Sequence, residues 1–318
     1  VFMDVTIADI ERARARIQPY IHRTPLMTSQ LINRSVGCEL IFKTENLQKI
    51  GAFKARGACN ALFSLNNATL ERGVITHSSG NHGAALAWAA QLRQTACCVV
   101  MPCNAPEVKK DAVASYGAEI VFCEPSMASR EANVAALIAA RGSELVHPYD
   151  DDHIIAGQGT AALEILEQLD RPVDILMTPV GGGGLLSGSA IAVKDHKNRA
   201  STLVIGAEPE AADDAWRGFK TGIRVTESTP CTIADGLRGT LGERNFKIIM
   251  HRVDGIFLAS ETRIIEAMRL LWTRLKILVE PSAAVPLAAI MQQPEKFSGK
   301  RVAIVLSGGN LDLDALPW

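Results

Sequence analysis

The chain has 318 residues, a length that predicts one large or two packed domains with a sizeable core. Its 33 Lys and Arg balance 34 Asp and Glu, so its charge favours neither nucleic acid nor an anionic membrane as a partner. No apolar run is long enough to span a bilayer, and charged residues interrupt positions 1–25, unlike a signal peptide. We therefore expect a cytoplasmic protein that binds a small molecule.

The seven cysteines are expected to be reduced residues of the core. Their number is odd, no CxxC spacing occurs, and most of them lie in apolar stretches such as Ala96 to Val99. This pattern is typical of neither a disulfide framework nor a zinc site, and it fits a reducing compartment.

The chain opens with a predicted helix, because Thr6 to Asp9 has the form of a capping box and Ile7, Ile10, Ala13 and Ile17 recur at helical spacing. Short β-rich runs then alternate with helical patterns. The predicted strands are Glu39 to Lys43, Gly73 to Thr76, Ala96 to Met101, Glu119 to Phe122, Asp174 to Met177, Thr202 to Ala207 and Arg301 to Leu306. This alternation predicts an α/β fold, with parallel strands covered by helices.

Lys54 lies among small and aromatic neighbours in the segment Gly51 to Ala58. A lysine is ordinarily a solvated surface charge, and nothing about Lys54 alone excludes that interpretation. Partial burial would lower its pKa and allow its amine to form a Schiff base with a carbonyl compound.

Three polar turns rich in glycine each follow a predicted strand. They are Thr76 to Gly83, Gly181 to Gly184 and Ser307 to Asn310. The four glycines stand between a strand and a helix start, an arrangement that would cradle a phosphate, although a flexible loop is the alternative. No Walker A lysine follows them, and no GxGxxG with an acidic ribose partner is present, so the phosphate is not expected to belong to a nucleotide. Ligands of open α/β sheets lie beyond the carboxyl ends of strands, where these turns can converge on one ligand.

Taken together, these motifs resemble those of the fold type II pyridoxal-phosphate enzymes, and most of all the serine racemase and serine/threonine dehydratase family. The resemblance covers almost the whole chain in the expected order. It includes Cys123 to Ser126, His147-Pro148, Ile155 to Thr160 and Ala207 to Pro209. It implies a fold like that of the tryptophan synthase β chain, with two open, twisted, mostly parallel sheets. A large domain of residues 1–72 and 149–318 and a smaller inserted αβ domain of residues 73–148 are expected.

The resemblance also implies roles for single residues. Lys54 would carry pyridoxal 5'-phosphate (PLP), with Phe53 beside the pyridine ring, Asn81 on the phenolic oxygen and Ser307 at the pyridine nitrogen. The phosphate would lie in the cradle of Gly181, Gly182, Gly183 and Gly184. A hydroxyl at the pyridine nitrogen makes the ring a weaker electron sink than a carboxylate would, which favours elimination of a β-substituent.

The implied reaction converts L-serine or L-threonine to a keto acid and ammonia, with serine racemisation as a second activity. Lys54 would remove the α-proton on one face and Ser79 would stand on the other. The resemblance implies that the substrate carboxylate binds to the turn of Ser78, Ser79, Gly80, Asn81 and His82. Arg130 is expected either to close over the substrate or to be an ordinary surface arginine.

A divalent cation and a second subunit are also implied. Glu208 and Asp214 match the acidic pair that binds Mg²⁺, Mn²⁺ or Ca²⁺ in metal-dependent relatives, together with a carbonyl equivalent to that of Ala212. Without the resemblance, acidic residues in a polar loop would be read as solvated. A homodimer is expected.

The sequence departs from the family pattern at a few places. Ala52 stands where many relatives have serine, and Ala84 stands where nucleotide-activated racemases have glutamine, so activation by ATP is not expected. The chain given ends soon after the Ser307 turn, so no C-terminal regulatory domain and no feedback by isoleucine are expected.

Other functions stay open. A sulfhydrylase of the cysteine synthase type shares the fold, but it typically has threonine where His82 stands. A dehydratase of 3-hydroxyaspartate or of a hydroxyectoine-derived compound is a closer alternative. A non-catalytic PLP-binding sensor is the alternative outside the enzymes, and the presence of Lys54, Ser79 and Ser307 argues against it.

Overall fold

The computed structural model describes residues 5–78, 80–197 and 201–318. Its first helix, α1 (Ile7–Ile17), begins as the sequence predicts, with the Thr6 N–H donating to the Asp9 carboxylate at 2.9 Å. Ile10, Ala13 and Ile17 are buried on one face of this helix. Within the described ranges, no helix combines the length and apolarity needed to cross a bilayer.

Six strands form the large sheet. They are β1 (Leu26–Met27), β2 (Glu39–Thr44), β7 (Ile175–Pro179), β8 (Leu203–Pro209), β9 (Gly255–Ala259) and β10 (Arg301–Leu306). Their order across the sheet is β1-β2-β10-β7-β8-β9. Only the short β1 edge pairs antiparallel among the described strands of this sheet, and the other pairs are parallel. The central strands are apolar and almost wholly buried, as expected for parallel strands covered on both faces.

Four parallel strands form the small sheet. They are β3 (Val74–His77), β4 (Cys97–Pro102), β5 (Glu119–Cys123) and β6 (Glu144–Leu145), in the order β5-β4-β3-β6. All four lie inside the segment 73–148 that the sequence assigns to an inserted domain, and the domain boundary itself stays a prediction. The predicted fold of two mostly parallel sheets with helices is confirmed. All seven predicted strands are present, whereas the sequence did not indicate β1, β6 and β9.

Helices cover both sheets. Those after α1 are α2 (Gln30–Val36), α3 (Lys54–Ser64), α4 (Asn67–Glu71), α5 (Asn81–Arg93), α6 (Glu107–Ser115), α7 (Met127–Arg141), α8 (Asp152–Gln168), α9 (Gly184–Lys194), α10 (Asp214–Thr221), α11 (Glu243–Arg252), α12 (Glu261–Arg274) and α13 (Pro281–Gln292). The large sheet has one apolar core against α2, α12 and α13, and another against α1, α8, α9 and α11. Because helices pack on both of its faces, the large sheet is held in place, and so are the turns that follow its strands.

Five of the cysteines are buried and all seven are free, as expected for reduced core residues. Cys103 and Cys231 are exposed instead, so the core assignment is wrong for these two. Both lie outside the strands, in segments without the apolar neighbours that bury Cys97 and Cys98.

A buried group of four charges holds the start of α3 in place. Arg56, which is fully buried, donates to Glu45 at 2.7 Å and to Glu164 at 2.8 Å. Lys43 is also fully buried and donates to Glu164 at 2.6 Å. Two cations therefore balance two carboxylates, which is the condition for keeping such charges out of water. Because Arg56 follows Lys54 by two residues, this network also fixes the position of Lys54.

Candidate active site

Lys54 is the first residue of α3 and its side chain is half-buried. Its ammonium donates to the Pro148 carbonyl at 2.7 Å and lies 5.3 Å from the centre of the Phe53 ring. Burial lowers the pKa of Lys54 to about 8, because the charged form is poorly solvated there. A neutral amine is therefore accessible near neutral pH, as a Schiff-base lysine requires.

The Ser307 turn lies directly beside this lysine. The Phe53 N–H donates to the Ser307 carbonyl at 3.0 Å, and the Gly309 N–H donates to the Gly51 carbonyl at 2.9 Å. Ser307 itself is buried at the end of β10. Two motifs that are more than 250 positions apart in the sequence are thus joined by backbone hydrogen bonds.

The glycine loop connects β7 to α9 and is closed on one side by Tyr149. A Cβ built on Gly182 would lie 2.1 Å from the Tyr149 ring, so only glycine fits at this position. Gly183 has a φ of +94°, which also favours glycine. The Asn245 amide donates to the carbonyls of both Gly182 and Tyr149 at 2.9 Å. These contacts hold the loop at the N-terminus of α9, where backbone N–H groups and the helix dipole favour an anion.

The turn after β3 begins with Ser78, whose buried hydroxyl accepts the Gly80 N–H at 3.1 Å. Asn81 begins α5, and His82 follows it, almost fully buried. Ser79, to which the resemblance gives both a catalytic and a substrate-binding role, lies outside the described residues.

Three neutral histidines line this part of the site. Burial lowers the pKa of His77 and of His147 to about 4, and that of His82 well below its ordinary value, with Lys54 adding to the effect at His82 and His147. His82 Nε2 lies 3.3 Å from the Val146 carbonyl, which can only accept, so Nε2 carries the proton and Nδ1 is bare. Nδ1 is buried without a partner among the described residues. None of these three rings is therefore protonated near neutral pH.

Arg130 lies on α7, and its Nε is buried without a hydrogen-bond partner in the described part of the chain. It is close enough to lower the pKa of His77, and its charge also opposes the rise in the pKa of Tyr149. No described carboxylate forms an ion pair with it. An arginine that acts electrostatically on His77 and Tyr149 and has no described anionic partner is suited to bind an anionic ligand.

Glu208 and Asp214 are both buried, and so is Ala212 between them. Glu208 lies in β8 and accepts the N–H groups of Ala215 at 3.0 Å and Trp216 at 2.9 Å, while Asp214 accepts the Leu241 N–H at 3.1 Å. Burial raises the pKa of both carboxyls, that of Asp214 to about 6, and the Asp214 charge raises that of Glu208 further. No described Lys or Arg forms an ion pair with either of them.

Two buried carboxylates without a cationic partner suit a divalent cation that also takes carbonyl and water ligands. No group of three or more His, Cys, Asp or Glu side chains with metal-binding geometry is found in the described residues. The predicted cation site has only two carboxylate side chains, Glu208 and Asp214, and one backbone carbonyl. The absence of a group of three or more side chains among the described residues therefore does not test it.

Sequence reasoning missed several residues of this site. They are Pro148, Tyr149, Asn245, Glu280 and Asn310. Pro148 lies in the motif His147-Pro148, and Asn310 lies in the turn of Ser307 to Asn310. The contacts of both residues, however, are with residues far away in the sequence. Nothing in the local sequence marks Tyr149, Asn245 or Glu280 as site residues.

Comparisons with known proteins identify the family of this chain. The model of the family described as pyridoxal-phosphate dependent enzyme matches residues 17–308. The chain belongs to this family. It is 49% identical to a beta-hydroxyaspartate dehydratase of Paracoccus denitrificans over 98% of each chain.

Two solved structures are also similar. A serine racemase of Dictyostelium discoideum has a TM-score of 0.90 at 48% identity, covering 97% of this chain and 99% of the other. A threonine deaminase of T.th. has a TM-score of 0.92 at 45% identity, with the same coverage. The predicted family and the predicted PLP cofactor are confirmed by these comparisons.

The residues present fit PLP. The cofactor needs a lysine amine, a phosphate cradle and polar groups at its ring substituents. Lys54 supplies a half-buried amine of lowered pKa, and the loop of Gly181 to Gly184 supplies a cradle in which a Cβ at Gly182 would collide with the Tyr149 ring. Asn81 at the start of α5 and Ser307 after β10 supply polar side chains.

Proposed function

We propose that this PLP-dependent enzyme is a dehydratase of small β-hydroxy amino acids. It would convert L-serine or L-threonine to a keto acid and ammonia, with serine racemisation as a second activity. The observation that carries this proposal is the position of Lys54, half-buried on the Pro148 carbonyl and next to the Ser307 turn. The names of the similar proteins, serine racemase, threonine deaminase and beta-hydroxyaspartate dehydratase, support the same reaction class.

The cofactor would be held by groups around Lys54. Phe53 would lie beside the ring, Asn81 would donate to the phenolic oxygen and Ser307 would face the pyridine nitrogen. Gly181 to Gly184 would bind the phosphate. When bound, PLP withdraws electrons from the Cα of an amino acid attached to it and so makes the α-proton acidic.

Within this site, Lys54 would act as the base that removes the α-proton once its amine is released by the incoming amino acid. Its lowered pKa favours the neutral amine that this step requires. The turn of Ser78, Gly80, Asn81 and His82 would bind the substrate carboxylate at the start of α5. Loss of the β-hydroxyl as water, followed by addition of water, gives the keto acid and ammonia.

Racemisation needs a proton donor on the face opposite Lys54. The resemblance names Ser79 for this role, and the small glycine-rich turn around it supports close approach to the substrate. A dehydratase without racemase activity would lack an effective donor at this position.

A divalent cation is proposed at Glu208, Asp214 and the Ala212 carbonyl. The burial of all three residues and the absence of a described cationic partner support it. The cation would lie at the end of β8, and among the described residues no hydrogen bond joins its proposed ligands to Lys54 or the glycine loop, so we assign it a structural role.

A dehydratase of 3-hydroxyaspartate is the second candidate. Arg130, with its unpartnered buried Nε, could bind the extra carboxylate of that substrate. The 49% identity to a beta-hydroxyaspartate dehydratase supports this alternative.

We further propose that the enzyme works in the cytoplasm as a homodimer on a free amino acid. The seven free cysteines support a reducing compartment.

The experiment is a spectrum of the purified enzyme with PLP, followed by a keto-acid assay with both enantiomers of serine, threonine and 3-hydroxyaspartate. We expect a near-visible absorption band that is lost in Lys54→Ala, and keto-acid release from at least one of these substrates. A protein that binds PLP but turns over none of them would instead be a sensor. Full activity in Lys54→Ala would overturn the assignment of Lys54.

A further inference from the structure

Glu280 is a buried carboxylate beside the cofactor site, and the proposed reaction gives it no role. It precedes α13 and is only 2% exposed. Its backbone N–H donates to the Gly308 carbonyl at 3.0 Å, which places it next to the Ser307 turn. Burying a carboxylate costs free energy unless hydrogen bonds or nearby charges compensate it. The partners of Glu280 therefore indicate what this side chain does.

The first of its partners is Asn81. Glu280 Oε1 accepts a hydrogen bond from Asn81 Nδ2 at 2.8 Å. The other end of this carboxamide, Asn81 Oδ1, accepts from Asn310 Nδ2 at 2.9 Å. Asn310 Nδ2 also donates to the Ile50 carbonyl at 2.7 Å.

This chain of bonds fixes which way the Asn81 amide points. The Ile50 carbonyl can only accept, so the nitrogen of Asn310 must face it. The atom of Asn81 that faces Asn310 must then be the oxygen, and the nitrogen must face the carboxylate of Glu280. Asn81 uses one N–H on Glu280 and keeps its second N–H for another acceptor.

The carboxylate itself has little freedom to move. A Cβ on Gly308 would lie 2.4 Å from Glu280 Oε1, so the backbone packs tightly against it. Glu280 Oε2 is buried without a hydrogen-bond partner in the described residues, and its nearest charge is the Lys109 ammonium at 3.9 Å. Lys109 also forms an ion pair with Asp235. Burial raises the pKa of Glu280, and the Lys109 charge opposes that rise.

We propose that Glu280 is a positioning residue, which holds the Asn81 carboxamide so that its free N–H points to the phenolic oxygen of the cofactor. This inference rests on the proposed function, in which Asn81 contacts that oxygen. In the structure, both ends of the Asn81 carboxamide form hydrogen bonds that orient it, the nitrogen to Glu280 and the oxygen to Asn310. Glu280 acts through Asn81, and it does not itself contact the cofactor.

The test is a double-mutant cycle on the dissociation constant (Kd) of PLP, measured by equilibrium dialysis, with the near-visible band recorded for each protein. The proteins are the wild type, Glu280→Leu, Asn81→Ala and the double variant. At pH 8, above the pKa of about 7 to which burial raises Glu280, we expect Glu280→Leu to raise Kd about tenfold, as loss of one charge-assisted hydrogen bond predicts. In the Asn81→Ala background the same change should alter Kd by less than about twofold.

Two further variants separate orientation from packing and from charge. Glu280→Gln keeps an acceptor for Asn81 and should recover part of the lost affinity, and Glu280→Ala replaces Glu280→Leu in the cycle if the leucine variant does not fold. Asp235→Asn removes the ion pair of Lys109 but leaves the Asn81 bond, so its Kd should stay within about twofold of wild type.

An equal rise of Kd in both backgrounds would show that Glu280 merely supports the fold and would overturn the inference. An unchanged Kd in Glu280→Leu would also overturn it. A wild type that binds no PLP would reject the proposed function, and the inference with it, which distinguishes that failure from the other two.

Discussion

The Pro148 carbonyl accepts a hydrogen bond from the Lys54 ammonium at 2.7 Å. Pro148 lies in the middle of a segment, residues 146–150, that leaves the small sheet and enters α8. The neighbours of Pro148 in this segment each hold another part of the site. Val146 accepts from His82, Tyr149 packs on Gly182, and Asp150 accepts the first N–H groups of α11.

The segment therefore ties the small sheet, the lysine and the glycine loop to one short stretch of chain. A shift of residues 146–150 would move the lysine contact and one wall of the phosphate cradle together. The positions of Lys54 and of the glycine loop therefore depend on contacts with this segment as well as on the motifs themselves.

The first prediction concerns the pH dependence of cofactor binding. The pKa of Lys54 is lowered to about 8, so its amine is charged below that pH and neutral above it. Only the neutral amine attacks the PLP aldehyde, so the association rate with apoenzyme should rise about tenfold between pH 7 and pH 9 and then level off. Stopped-flow absorbance measures this rate. Lys220→Ala, which removes an exposed lysine, should show the wild-type profile.

A rate that keeps rising to pH 10 would contradict this prediction, because it would indicate a lysine of ordinary pKa.

The second prediction concerns the glycine loop. In Gly182→Ala the new Cβ would lie 2.1 Å from the Tyr149 ring, so the ring or the loop must move. We expect a cost of about 1–3 kcal/mol, typical of overpacking, and a rise in the Kd of PLP of at least about fivefold. Equilibrium dialysis measures the Kd.

Gly239→Ala is the matched control. A Cβ at Gly239 would be 3.8 Å from the same tyrosine ring, an ordinary contact. This variant should bind PLP like the wild type. If both variants lose affinity equally, the effect is not specific to the cradle.

The third prediction concerns the cation site. Mg²⁺ or Mn²⁺ at a concentration of about 100 Kd should stabilise the wild type by about 2.7 kcal/mol, because it binds the folded chain only. Glu208→Gln and Asp214→Asn should abolish this rise in melting temperature (Tm). Glu210→Gln changes an exposed carboxylate in the same loop and should keep it. Tm is followed by circular dichroism in EDTA and in each metal.

A wild-type Tm that is the same in EDTA and in every divalent metal would show that Glu208 and Asp214 do not bind a cation.

The sequence predicted the parts of this fold that local patterns specify. Buried parallel strands such as Arg301–Leu306 are continuous apolar runs, so they were recognisable. The two-residue strands β1 and β6 are too short to show any periodicity, and they exist because of their neighbours. The apolar run of β9 was missed, because short apolar runs are ambiguous between strand and helix.

The residues of the candidate site also divide into those that local sequence patterns reveal and those that only the fold brings together. Lys54 and the glycine loop were singled out because the family motifs they resemble are short runs of residues adjacent in the sequence. Glu280 could not, because it lies 199 positions from Asn81 and only the fold brings the two together. The roles of all the predicted site residues, Ser79 and those that would bind substrate among them, stay predictions.

The last prediction concerns substrate choice and Arg130. This guanidinium has a buried Nε without a described partner, and its charge acts on His77 and Tyr149, which carry no charge near neutral pH. If it binds a distal carboxylate, Arg130→Met should lower kcat/KM for 3-hydroxyaspartate at least about tenfold more than for L-serine, because serine has no group to lose. Arg141→Met removes an exposed arginine of the same helix that pairs with Glu119, and it should change neither substrate by more than about twofold. Keto-acid release measured with both substrates decides the matter. Equal losses for both would place Arg130 on the shared α-carboxylate or in closure of the site, and no loss for either would make it a surface arginine.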